Sequence, residues 1–319
     1  MISFVYFCSV KRSALIIALL MLAEGALADD WDVHRPYGAN RPIGLSASIN
    51  VGMLIANKKQ AEFYSGNRID PDIDADQTYL ERMIHSERFG NQIWTDLVDG
   101  GYISPSAIQN YSQLKVVEPA KMHYKLTYQI GLGIRYDWES GWGGLLRFDW
   151  SRLTAVGAFN LSSTNGTGIL QNDNQYVQCS VGGVENRINI DLGIAKRFFL
   201  SESFALELDL GFNLNNLKVK KNMMEIAGRT HDILDIYGSN GPMLNGATYE
   251  YINQGGVGFG GFAGVALCYI VPGENSVGTI DFGYNFYYEK LKLEGYSGYA
   301  PQHAIFLRFN LNTFSFFNK

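Results

Sequence analysis

The sequence predicts an all-β fold, an eight-stranded antiparallel up-and-down transmembrane β-barrel with long extracellular loops, the first of them partly helical. Three observations predict it. Segments alternate strictly between apolar and polar residues, aromatic residues gather at both ends of the apolar faces, and the connections alternate between short and long.

The N-terminus comes first. Lys11 and Arg12 precede an apolar run, Ala14 to Ala23, which ends in Ala26-Leu27-Ala28. That is the pattern of a secretory leader with cleavage after Ala28. The expected organisation is a leader over residues 1–28, a periplasmic tail over 29–42 and a barrel over 43–319, with both termini periplasmic. The leader's apolar run is too short to cross a bilayer as a helix, and nowhere in the rest of the chain is there an apolar run long enough for a membrane-spanning helix, so any span must be β. The 19 Tyr and 19 Phe beside only 18% charged residues, at a mean hydropathy of -0.07, fit aromatic girdles around a polar lumen. Cys179 and Cys268 form no disulfide framework and are expected near opposite ends of the barrel as free thiols. A net charge of -5 argues against a nucleic-acid partner.

The first strand is expected over Ile43 to Ile55. The second, Met122 to Trp138, alternates best, with Met122, Tyr124, Leu126, Tyr128, Ile130, Leu132, Ile134, Tyr136 and Trp138 on one face. Its other face carries His123, Lys125, Thr127, Gln129, Arg135 and Asp137. The third is Trp142 to Phe159, where the alternation slips near Ser151 and Arg152 and predicts a β-bulge that turns Leu153 and Ala155 outward. Arg187 to Phe199 follows, then Ser203 to Asn215 with Phe204, Leu206, Leu208, Leu210, Phe212 and Leu214 on its apolar face. The last three are the glycine-rich Val257 to Val271, Val277 to Glu289, and His303 to Thr313.

The links test the count independently. Glu139-Ser140-Gly141, Leu200 to Glu202 and Pro272-Gly273 are short, whereas residues 56–121, 160–186, 216–256 and 290–302 are long. The chain ends with Phe314, Phe316 and Phe317, which resembles the aromatic terminal strand that barrel-assembly machinery recognises. In architecture the sequence resembles the OmpA, OmpX, OmpW and opacity-protein group of small bacterial outer-membrane barrels, from about Ile43 onward. The resemblance implies residence in the outer membrane beside lipid and lipopolysaccharide. Alternation alone also fits a soluble sandwich or lipocalin-like barrel of inverted phase; the leader, the girdle order and the terminal strand favour the membrane.

With apolar faces toward lipid, the lumen receives Lys125, Arg135, Arg147, Arg197 and Arg308 together with Asp137, Asp149, Asp191, Glu207, Asp209, Asp281 and Glu289. Eight strands leave room for little but side chains, so an ion-paired plug is expected, where a general porin needs about sixteen strands. The long first connection contains a helix over Gln77 to Arg88, with Asp76 as N-cap and Gly90 as stop. Ile93, Trp94, Leu97 and Val98 continue the helical spacing, and a third helix opens at Ser104-Pro105. Asp70, Asp72, Asp74, Asp76, Thr78 and Glu81 have the spacing of a calcium loop, though Ala75 stands where its glycine is required. A solvated acidic run at a helix N-terminus is the alternative. Of the five histidines, only His123 and His303 are expected near one another, with Ser297 close to the second. No serine, histidine and acid stand at catalytic spacing, so no enzyme and no cofactor beyond possible calcium is expected.

The expected function is that of a monomeric outer-membrane protein with a filled lumen. Its loops would act in adhesion, contact with an extracellular ligand or host surface, or membrane integrity. The alternative is a narrow channel or lateral path for small hydrophobic molecules, which the OmpW resemblance implies.

Overall fold

A computed structural model describes residues 42–67, 78–85, 87–103, 114–163, 176–233, 255–272, 278–293 and 295–312. The expected leader, most of the tail, the Ser104-Pro105 helix, the tips of the second and third long links, and Phe314, Phe316 and Phe317 lie outside the described residues.

Eight strands close a ring. They are β1 (Gly44–Ile55), β4 (Thr127–Asp137), β5 (Trp142–Ser163), β6 (Val177–Phe199), β7 (Phe204–Ile226), β9 (Gly255–Val271), β10 (Gly278–Lys290) and β11 (Tyr299–Asn312), and β11 pairs with β1. Every pairing is antiparallel, so all backbone groups within the ring bond sideways and no edge is left, as a bilayer demands. Two short strands, β2 (Leu114–Glu118) and β3 (His123–Tyr124), add to β5, and β8 (Arg229–Asp232) adds to β7.

Two of the three tight turns sit where the sequence places them, and the third, expected at Pro272-Gly273, runs outside the described residues after Pro272. Trp138 N–H donates to the Trp142 carbonyl and Gly141 takes a positive φ of 79°; at the next turn, Leu200 N–H donates to Phe204. Outward side chains near this end are apolar, with Leu132 62%, Phe212 78% and Phe282 63% exposed. Tyr136 and Trp138 stack edge to face at its rim, as do Phe259 and Tyr299 at the opposite rim. A belt of this kind is costly in water and suits hydrocarbon.

Strand length separates two kinds of strand. A tilted membrane crossing takes about 9–11 residues; β1 and β4 have 12 and 11, whereas β5, β6 and β7 have 22, 23 and 23. The extra length forms a tall wall on one side of the ring, and along it the polarity of the two faces exchanges. In β5 the inward residues run Arg147, Asp149, Ser151 and then Leu153, Ala155, Phe159 and Leu161. The outward ones run Leu146, Phe148, Trp150 and then Arg152, Thr154 and Asn160.

This corrects the expected bulge. The pairing of β5 with β6 keeps one register from Trp142 to Leu161, so Leu153 and Ala155 point inward and the interior itself changes from charged to apolar. The shift lies instead in β7, between the partners of Val184 and Glu185. Met122 and Tyr124 also face inward, not toward lipid, because the phase slips at Lys125 and Leu126, two consecutive exposed residues.

Three helices fill the space behind the wall. They are α1 (Lys58–Ala61), continued by a 3-10 turn at Glu62–Ser65, α2 (Tyr79–His85) and α3 (Glu87–Asp99). The two expected helical stretches are both present, but the first ends at His85, and Gly90, expected as its stop, lies inside the second. Leu80, Ile84, Ile93 and Leu97 are fully buried against Phe159, Val181, Leu217 and Met224 of the wall. Burying each such side chain stabilises by about 1.5–3 kcal/mol, which explains why the amphipathic helices lie inward as a cap.

Candidate functional site: the charged lumen and its cap

Below the cap, alternate residues of every ring strand converge on the barrel axis. Arg135 on β4 donates through Nε to Asp137, 2.6 Å away, and its Nη1 lies 2.5 Å from Glu207 on β7. Glu207 also receives Arg197 from β6 at 2.8 Å and Arg308 from β11 at 2.9 Å, so one carboxylate holds three guanidinium groups. Arg147 on β5 bridges Asp191 at 3.2 Å and Asp209 at 2.8 Å. Asp281 lies 3.7 Å from Arg308 and receives Asn310 Nδ2 at 2.6 Å, and Asp149 receives Asn50 at 3.3 Å.

The network continues upward. Asn213 donates to Asp191, Asn215 to Asn213 and to Glu289, Gln302 to Glu289, and Arg187 to Gln302 and, at 2.5 Å, to Glu185. Tyr64 of the cap donates its hydroxyl to Glu185. Burial and the neighbouring carboxylate hold that hydroxyl's pKa well above its ordinary value, so it stays protonated. A path of hydrogen bonds and ion pairs thus runs from the cap to Asp137 near the tight turns.

Among the described residues five buried arginines meet eight buried carboxylates, and the carboxamides of Asn50, Asn213, Asn215, Gln302 and Asn310 supply the donors that the acids would otherwise lack. Space is scarce. A void lined by Asn50, Gln129, Asp149, Asn285 and Arg308 has about 10 Å³, room for one water molecule at most.

Eleven of the twelve lumen residues read from the sequence are brought together in this interior. Lys125 is not: it sits at the phase slip, exposed on the outer surface. Sequence reading missed Glu185, Arg187, Tyr64 and Gln302. The first two continue the inward phase of Asn189 and Asp191, a signal that was present: Glu185 fell in a stretch taken for loop, and Arg187 was read as the first residue of a strand without being counted among the lumen charges.

Of the expected calcium ligands, Asp70, Asp72, Asp74 and Asp76 lie outside the described residues. Thr78 and Glu81 form a capping box: Thr78 N–H and Oγ1 donate to the Glu81 carboxylate at 3.2 and 3.1 Å, and Glu81 N–H donates back to Thr78 Oγ1 at 3.2 Å. The helix cap is therefore Thr78 and not Asp76. The described histidines are dispersed. His85 contacts the Leu114 carbonyl, His123 is exposed on β3, His231 faces Asp96, and His303 pairs with the Tyr284 hydroxyl.

The contact with Asp96 fastens the cap. Asp96 on α3 is 1% exposed, 2.7 Å from Arg229 and 3.7 Å from His231 on β8. Burial lowers the pKa of His231 below the ordinary value, against the pull of Asp96 and Asp232 and with the push of Arg229. As pH falls below about 6.5, the free imidazole gains a proton that the docked one refuses, so docking weakens on acidification and is insensitive above that range. Hydrogen exchange of α3 amides should therefore quicken between about pH 6.5 and 5, and H231Q should abolish the dependence; the same pH profile in that variant would refute the assignment.

A closed antiparallel ring with apolar residues outward and charges on the axis defines the architecture. The fold is that of a small outer-membrane barrel. No family model matches the chain, and no curated protein sequence matches it. Among solved structures, the outer membrane protein OprG from Pseudomonas aeruginosa is similar over 86% of this chain and 99% of its own, at 8% identity and a TM-score of 0.37. Ail, the attachment invasion locus protein of Yersinia pestis, solved with the heparin analogue sucrose octasulfate, is similar over 84% and 100%, at 12% identity and a TM-score of 0.31. The fold assignment rests on this chain's own strand pairing and polarity.

Proposed function

We propose that the chain is an integral outer-membrane protein of the bacterial surface, with the barrel as anchor and the capped end, facing outward, as the surface that meets an extracellular ligand or host. The observation that carries this reading is the exchange of polarity along β5, β6 and β7. Strands about twice the length of a crossing raise a wall with a water-type apolar core, which a pore would not need. The filled lumen beneath supports an anchoring role over conduction.

Cells displaying the full chain should bind immobilised matrix glycoproteins. Cells displaying a chain with residues 61–117 replaced by a short linker should not, once heat-modifiable mobility shows the barrel inserted. A gentler change on the exposed face of α3, Gln92→Arg with Thr95→Arg, leaves the cap core intact and should also reduce binding. Equal binding in both variants, or steady single-channel openings of the full chain in planar bilayers, would overturn the reading.

A further inference from the structure

At the level where the wall leaves the apolar belt, the outer surface becomes cationic. The register fixes this level: Trp150, Ile188, Asn216 and Val257 form one outward row across four strands, and Arg152, Asn186 and Lys218 form the next outward row above it. Lys221 follows on β7, Lys125 stands just before β4, Lys290 ends β10, and Lys59 lies in α1, which follows the same end of β1.

All six basic side chains are exposed, and none forms an ion pair among the described residues. Of the acids on the neighbouring strand segments, Glu185 and Glu289 are buried and face inward, while the exposed Glu118 on β2 and Glu225 on β7 accept from Asn160 and Ser180 and pair with none of the six. The tight-turn end differs, with exposed Glu139 and Glu202. A chain of net charge -5 thus concentrates unpaired cations in one collar.

We infer that this collar binds the phosphate groups of anionic lipid in the leaflet on the capped side. The apolar belt fixes the depth of the molecule, so the collar meets the headgroup layer and not the hydrocarbon. Lysine and arginine there gain charge-assisted contacts with phosphate without being desolvated in the bilayer core. Arg152 and Lys218 stand two strands apart, roughly 10 Å, so neighbouring cations can each take a different phosphate of one lipid. The inference rests on the membrane reading proposed above.

The test uses the full chain in phosphatidylcholine vesicles containing either bisphosphorylated lipid A or the same lipid stripped of its phosphates. Lipid retained on the purified protein is measured by native mass spectrometry. Expected is about a tenfold preference for the phosphorylated lipid, lost in the variant Lys125→Gln, Arg152→Gln, Lys218→Gln, Lys221→Gln while protease protection of the barrel is unchanged. A preference retained in that variant, or absent from the native chain in vesicles it has entered, overturns the collar alone. Full displacement of the lipid by millimolar inorganic phosphate overturns the lipid as source. Failure to enter vesicles of either composition overturns the membrane reading and the collar with it.

Discussion

Glu207→Gln is expected to destabilise the folded barrel by about 3–5 kcal/mol, the range for removing one partner from a buried ion network. Glu207 is fully buried and receives Arg135, Arg197 and Arg308 from three different strands. Glutamine has nearly the same shape but no charge. It would leave three guanidinium groups in a dry interior with less compensating charge and an amide N–H₂ aimed at cations. Urea unfolding in lipid vesicles, followed by tryptophan fluorescence, reads the loss. Adding Arg308→Met to Glu207→Gln should recover part of the stability, because one stranded cation goes with it. A loss below about 1 kcal/mol would show that the network is not what holds the lower barrel together.

The second large effect is expected at Gly183. It faces the cap from β6, and a Cβ there would collide with the ring of Tyr64, which is fully buried and cannot yield without leaving Glu185. Gly183→Val should weaken cap docking by about 1–3 kcal/mol through overpacking. Cys179 reports it. Its thiol is 2% exposed beneath the cap and burial pushes its pKa up to about 12, so in the native chain it resists maleimide at pH 8. In the variant, labelling should quicken about ten- to a hundredfold, each ~1.4 kcal/mol being a decade. Cys268, fully buried inside the ring, should stay protected and serve as internal control. Restoration of protection by Tyr64→Ala in the same chain would identify the ring as the obstacle; a Cys179 as inert in Gly183→Val as in the native chain would refute the docking geometry.

How far the sequence spoke depended on one rule of phase. From Tyr128 to Trp138 and from Phe204 to Asn215, alternation, girdle order and short turns agree, and the residues that lie outward are those the pattern names. Beyond Trp150 the spacing continues while the meaning of the two faces reverses. Leu153 and Ala155 then look like a register error, and the first half of β6 looks like loop. A periodicity of two reveals a strand but not which solvent each side meets. The apolar faces of α2 and α3 were legible from Tyr79, Leu80, Met83, Ile84, Ile93 and Leu97. Their partners were not, because Phe159, Val181 and Met224 come from strands distant in sequence.

The reversal of polarity also bears on how the molecule assembles. β5, β6 and β7 are consecutive, β6 and β7 meet at a tight turn, and the upper halves of all three have the apolar-inside arrangement that water itself favours. The seam between β1 and β11 joins the first strand to the last and carries an outer face that only hydrocarbon tolerates. Zipping can therefore begin in the aqueous compartment with the central meander, while circular closure waits for lipid and comes last.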